Sequence, residues 1–99
     1  MKPENVNRSN FKVIYVVYNK DEFSVAYGKT PEDDFVLGMR WNGNDADPGY
    51  PKLFNYPVWF FVAENLKIPT LKSLYNIEGS NNELILKSLE NELNSNIGL

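Results

Sequence analysis

The hydrophobic period of this chain changes once, between residues 62 and 68, and that single change sets the fold class. Before it, β-branched and aromatic residues come in short runs with period-two alternation; after it, apolar residues recur at three- and four-residue spacing. Strands followed by helices, with no return to strands, exclude the alternating order of a parallel βαβ sheet and predict an α+β domain. At 99 residues the chain holds one core at most, and an apolar share of 42% with six Phe, six Tyr and two Trp suffices to build it. A domain of this size folds alone or as a small homo-oligomer, a homodimer being the simplest.

Residues 1–10 are polar, with one Pro and three Asn, and read as a flexible lead-in to a single domain spanning residues 11–99. Residues 11–18 (FKVIYVVY) carry apolar side chains on both alternating faces, as a central strand does. Residues 23–28 set Phe23, Val25 and Tyr27 against Ser24 and Ala26, and residues 35–41 set Phe35, Leu37, Met39 and Trp41 against Val36, Gly38 and Arg40. Residues 42–49 (NGNDADPG) are a loop of breakers, and Pro51 and Pro57 forbid a central strand between them. Residues 58–62 (VWFFV) then complete a four-stranded antiparallel meander.

Behind it, Ile68, Leu71, Leu74 and Tyr75 mark a short helix ending near Gly79. Ser80-Asn81-Asn82-Glu83 matches a capping box, in which the Ser hydroxyl and the Glu carboxylate each satisfy a free backbone N–H. The helix it opens presents Ile85, Leu86, Leu89 and Leu93 as an apolar stripe, opposite Lys87, Ser88, Glu90 and Asn91. The expectation is a four-stranded antiparallel meander followed by two C-terminal helices packed on one face.

Chemistry is excluded mainly by missing residue types. Without cysteine there is no disulfide, thiolate nucleophile or Cys-ligated metal, and without histidine no Ser-His-Asp or Cys-His system can be assembled. Asp33, Asp34, Asp45 and Asp47 are the candidate acid–base carboxylates, but they lie in flexible polar turns, where solvated carboxylates that serve the turn are expected. As a calcium loop, residues 42–49 fail on spacing: with Asp45 first, the twelfth position falls on Tyr56 instead of a Glu. No Gly-rich phosphate loop occurs, so neither enzyme nor cofactor is expected. The longest apolar run, residues 58–63, is too short to span a bilayer, and the N-terminus lacks the apolar segment of a signal peptide, so no membrane association is expected and the cytoplasm is the expected location. A net charge of −3 argues against generic polyanion binding, although seven of the ten cationic residues precede residue 60.

One feature outruns the needs of a small core: the aromatic and proline cluster of residues 41–61. Arg40, Trp41, Tyr50, Lys52, Phe54, Tyr56 and Trp59 are its candidate binding residues. On strand geometry residues 58, 60 and 62 face one way and residues 59 and 61 the other, so rings stand on both sides of the sheet while the helices cover one. Rings left on the other side form either a hot spot for a protein partner or a stacking platform for single-stranded nucleic acid. Burial in the domain's own core is the remaining use for them.

The segments EFSVAYG (22–28), MRWNG (39–43), GYP (49–51), PVWFF (57–61) and IPTLKSL (68–74) resemble a scattered group of short bacterial proteins without an established activity. In order of elements the chain also resembles, more distantly, the bacterial single-stranded-DNA-binding proteins similar to the eukaryotic positive transcriptional coactivator. Arg40-Trp41-Asn42-Gly43 echoes a segment of that family. That likeness implies a curved four-stranded sheet, a C-terminal helix, dimerisation and single-strand binding. From the residues themselves, a non-enzymatic module is expected that recognises a protein partner, as inhibitor or accessory factor, through the aromatic and proline-rich surface; single-stranded nucleic-acid binding on an open sheet face is the alternative.

Overall fold

The computed structural model describes residues 2–97. A 3₁₀ turn at Pro3–Asn5 leads into β1 (Lys12–Lys20), β2 (Phe23–Lys29) and β3 (Phe35–Trp41). After them come two short paired strands, β4 (Lys52–Leu53) and β5 (Tyr56–Pro57), then β6 (Phe60–Phe61), a second 3₁₀ turn (Glu64–Leu66), α1 (Lys67–Leu74) and α2 (Asn82–Ile97). The main sheet is antiparallel in the order β1-β2-β3-β6, and β4 and β5 form a separate hairpin. The fold is α+β, with the meander and the two C-terminal helices as expected.

β1 carries two bulges, because Val13 and Tyr15 oppose the adjacent Gly28 and Tyr27, and Val16 and Tyr18 oppose the adjacent Ala26 and Val25. Ile14 and Val17 are the extra residues. The bulges turn Tyr15, Val17 and Tyr18 toward the helices, while Val13 stays on the opposite side. The helix-side core is Val17, Val25, Tyr27 and Leu37 against Leu71 and Ile85.

The opposite face is also filled. Val6, Phe11 and Trp59 pack over Ala26, flanked by Val13, Val36 and Phe61. Two glycines make room for these rings: a Cβ on Gly28 would stand 2.4 Å from the Phe11 ring, and one on Gly38 would stand 3.1 Å from the Trp59 Cβ. The polar lead-in is therefore packed, contrary to the flexible segment expected. Val6 is buried, its carbonyl accepts the Trp59 indole N–H at 2.7 Å, and the Asn7 side chain accepts the Val13 N–H at 2.8 Å.

The fourth strand is shorter than the expected residues 58–62. Only Phe60 and Phe61 pair with Met39 and Gly38. Val58 is engaged elsewhere, its N–H donating to the Pro51 carbonyl at 3.2 Å and its own carbonyl accepting from Arg40. The first helix likewise stops at Leu74 instead of Gly79. Asn76 then takes a positive φ of 69° and pairs with Asn82 through two hydrogen bonds of 2.8 and 2.9 Å, which fold the connection back on itself. That connection lies along β1, with the Asn19 N–H on the Gly79 carbonyl at 2.9 Å and the Asn81 N–H on the Val17 carbonyl at 2.8 Å, and it covers part of an edge otherwise open to pairing.

The cap of α2 is Asn81, one residue beyond the expected Ser80. Asn81 Oδ1 accepts the Leu84 N–H at 3.1 Å, whereas the Ser80 hydroxyl is buried without a partner. Glu83 reaches forward to Lys87 at 3.5 Å and closes no capping box. Asn81→Ala is expected to cost about 0.5–2 kcal/mol. Ser80→Ala should be neutral or stabilising, since it removes an unsatisfied hydroxyl; thermal melts of both variants check the assignment, and the reverse order would contradict it.

α2 is also rotated relative to its expected stripe. Ile85, Ser88 and Glu92 are buried, while Leu86 and Leu93 are exposed. The rotation brings the Glu92 carboxylate inside, to Lys67 and Tyr27.

Candidate binding surface

β3 delivers Arg40 and Trp41 to the same end of the molecule with opposite outcomes, because successive strand residues face opposite ways. Arg40 is 1% exposed. Its guanidinium donates to the carbonyls of Pro48, Pro51 and Val58 and lies 5.9 Å from the centre of the Trp59 ring, tying the loop and the following segment to the sheet. Burial lowers its pKa from the ordinary arginine value. Trp59 is 7% exposed and belongs to the second core. These two residues, expected at the binding surface, instead build the support beneath it.

The other five candidates are exposed. Trp41 packs edge-on against Phe23 at 4.7 Å and pairs through its backbone with Tyr50, with N–H to carbonyl bonds of 2.6 and 3.1 Å that close residues 42–49. Within that loop Asn44 Oδ1 accepts the N–H groups of Ala46 and Asp47 at 2.8 and 2.9 Å, and Asp47 Oδ1 accepts that of Gly49 at 2.9 Å. These carboxylates and amides serve the turn. Trp41, Tyr50 and Lys52 border a shallow cleft of about 440 Å³, with Glu22 and Asp47 on its rim.

The chain then rises into the β4–β5 hairpin. Phe54 and Asn55 form its two-residue turn with φ of 49° and 66°. A two-residue turn with both residues at positive φ matches the twist of the flanking strands and is normally filled by Asn-Gly or similar pairs. Asn55 suits its place, but Phe54 does not, since the left-handed region costs an ordinary residue about 1–2 kcal/mol. The Phe54 ring meets little of the chain's own surface, being 88% exposed. Leu53 and Tyr56 stand exposed beside it, and the Arg8 guanidinium lies 5.2 Å from the centre of the Tyr56 ring. Leu53 and Arg8 are members of this surface that the sequence reading passed over. Leu53 differs from other leucines only through the hairpin, and Arg8 arrives from a distant segment.

The open sheet face needed for base stacking does not exist among the described residues. On the face away from the helices, Ala26, Gly28 and Gly38 are buried beneath Val6, Phe11 and Trp59, Arg40 beside Trp59 and the Pro51 carbonyl, and Ser24 under the side chains of Asn19 and Asn42.

A second polar cluster lies at the far end of the sheet. Glu92 Oε1 is 2.9 Å from Lys67 Nζ and Oε2 accepts the Tyr27 hydroxyl, which in turn accepts Asn91 Nδ2 at 2.8 Å. Lys67 also meets Glu64 at 3.0 Å and the Phe35 carbonyl at 2.8 Å. With each donor and acceptor engaged, this is a tie between α1, α2 and the sheet. Burial first, and then the bond to Glu92, raise the Tyr27 phenol above its ordinary value of about 10. The folded chain therefore holds this proton where the unfolded chain has released it. The resulting stabilisation is complete below about pH 10 and is lost as pH rises from there toward the folded value. Urea titrations at about pH 8 and about pH 11 should show a smaller alkaline loss in Tyr27→Phe than in the parent; equal losses would contradict the linkage.

Among the described residues no cluster of three or more Asp or Glu side chains is placed to hold a metal, and no helix is long and apolar enough to cross a membrane. Comparison of the chain with protein-family models, with curated proteins and with solved structures returned no match in any of the three.

Proposed function

We propose that the chain is a non-enzymatic binding module that recognises another protein, as an inhibitor or accessory factor, and that Trp41, Tyr50, Lys52, Leu53, Phe54 and Tyr56 make the contact. The observation that carries this reading is Phe54, a large aromatic held at positive φ on a hairpin tip and 88% exposed. The conformation opposes folding, and no intramolecular packing of the ring offsets it. Retaining Phe at such a position is explained by what the ring meets outside the chain. The flanking Leu53 and Tyr56 enlarge it into an apolar projection of the kind that fills a partner's pocket. Arg40 and the loop bonds hold its base rigid, which lowers the ordering cost of association.

Phe54→Gly separates binding from folding. Glycine takes positive φ freely, so the melting temperature should stay level or rise. Affinity for a partner captured from extract of the source cells should fall by roughly 2 kcal/mol, the scale of an interface hot spot. A variant that melts lower and binds as before would overturn the proposal.

A further inference from the structure

We infer that the occupant of the hairpin surface is a segment of another protein in which apolar anchor residues are flanked by carboxylates; the inference rests on the binding-module reading above. The charge around the hairpin carries it. Arg8 lies against Tyr56, and Lys12 shares a shallow recess with Arg8 and Ser9. Lys52 stands exposed at the foot of the hairpin. Among the described residues none of these three has a carboxylate within 4 Å; the lysines that do are Lys20, Lys67 and Lys87, and Lys29, which lies across the strands from Lys12 and is paired with Asp33.

Arg40 adds to the same field from below. It is buried, and its partners are three backbone carbonyls and the Trp59 ring, so no carboxylate neutralises it among the described residues. In a chain of net charge −3, four cations without a carboxylate partner, Arg8 against Tyr56, Lys12 next to Arg8, Lys52 at the foot of the hairpin and Arg40 beneath it, are complementary to a ligand that is both apolar and acidic. Continuous polyphosphate fits less well. The cleft lined by Trp41, Tyr50 and Lys52 is also lined by Glu22 and Asp47, which repel a phosphate at every step of a strand crossing it, whereas a peptide can set an uncharged anchor residue there and its carboxylates against Arg8 and Lys12.

The probe is a random-peptide phage library selected on the full chain and counter-selected on Phe54→Gly. Peptides lost on the counter-selection should carry Asp or Glu beside an aromatic or aliphatic anchor. Synthetic versions should bind Arg8→Glu and Lys52→Glu at least about tenfold more weakly than the parent. Hairpin-dependent peptides with no acidic bias would overturn this inference and leave the binding-module reading in place; an absence of any hairpin-dependent peptide would overturn both. Two controls name the competing occupants. Binding of labelled oligothymidylate that disappears in Arg8→Glu, or concentration-dependent self-association that disappears in Phe54→Gly, would replace the acidic segment by nucleic acid or by a second copy, and either result overturns it.

Discussion

Trp59→Ala is expected to lower the stability of the domain by about 3–5 kcal/mol, the range for truncating a large aromatic side chain in a core. The loss has several sources that act together. The ring packs 5.8 Å from Phe11 in a tilted arrangement and fills the space left by Gly38, so its removal opens a cavity between the N-terminal segment and the sheet. The Val6 carbonyl loses the indole N–H it accepts at 2.7 Å. Arg40 loses the aromatic face beside its guanidinium. For a domain whose whole stability is on the order of 5–15 kcal/mol, such a loss brings unfolding close to ambient conditions. Tyr50→Ala, at a residue 66% exposed, should change stability by no more than about 0.5 kcal/mol. Urea denaturation measures both; a small effect at Trp59 together with a large one at Tyr50 would invert the assignment of support and surface.

Lys67→Met is the second large effect, at about 3–5 kcal/mol, because it leaves the buried Glu92 carboxylate with only the Tyr27 hydroxyl. The fold does not need this ion pair for its own sake. Replacing both partners by apolar residues of similar volume removes the uncompensated charge, so Lys67→Met combined with Glu92→Leu should be more stable than Lys67→Met alone. Some deficit should remain, since Tyr27 and the Phe35 carbonyl lose hydrogen-bond partners. A double variant less stable than the single one would show that Glu92 stabilises the fold without Lys67, contrary to the role given to the pair.

The order of elements was legible because period-two and helical spacing are properties of consecutive residues, and residues 35–41 are read with their observed ends. What escaped depends on partners distant in sequence. Glu92 reads as part of a solvated helix until Lys67 and Tyr27 are beside it, and this one tie turns α2 so that Leu86 and Leu93 face outward. Ser80 and Asn81 are equally good caps by residue type; the bridge between Ser80 and Tyr18 fixes the outcome by drawing Ser80 to the edge of β1. In the candidate surface, alternation places Arg40 and Trp41 on opposite sides, but only tertiary structure shows that the Arg40 side is closed by Trp59. Pro51 and Pro57 mark residues 52–57 as lying outside the main sheet, while Tyr50 is bridged to its edge at Trp41. The hairpin they bracket was hidden, since Phe-Asn is a poor signature for its turn, and that mismatch is itself the strongest sign of function in the chain.

The most direct measurement of the central claim is site-specific photo-crosslinking in the source cells, with a photoreactive phenylalanine analogue placed at Phe54 in one variant and at the exposed Ile77 in another. Crosslinking at Phe54 to one discrete protein, with none at Ile77, is the result predicted for a hairpin that docks a partner. Equal, diffuse labelling from both positions would contradict it.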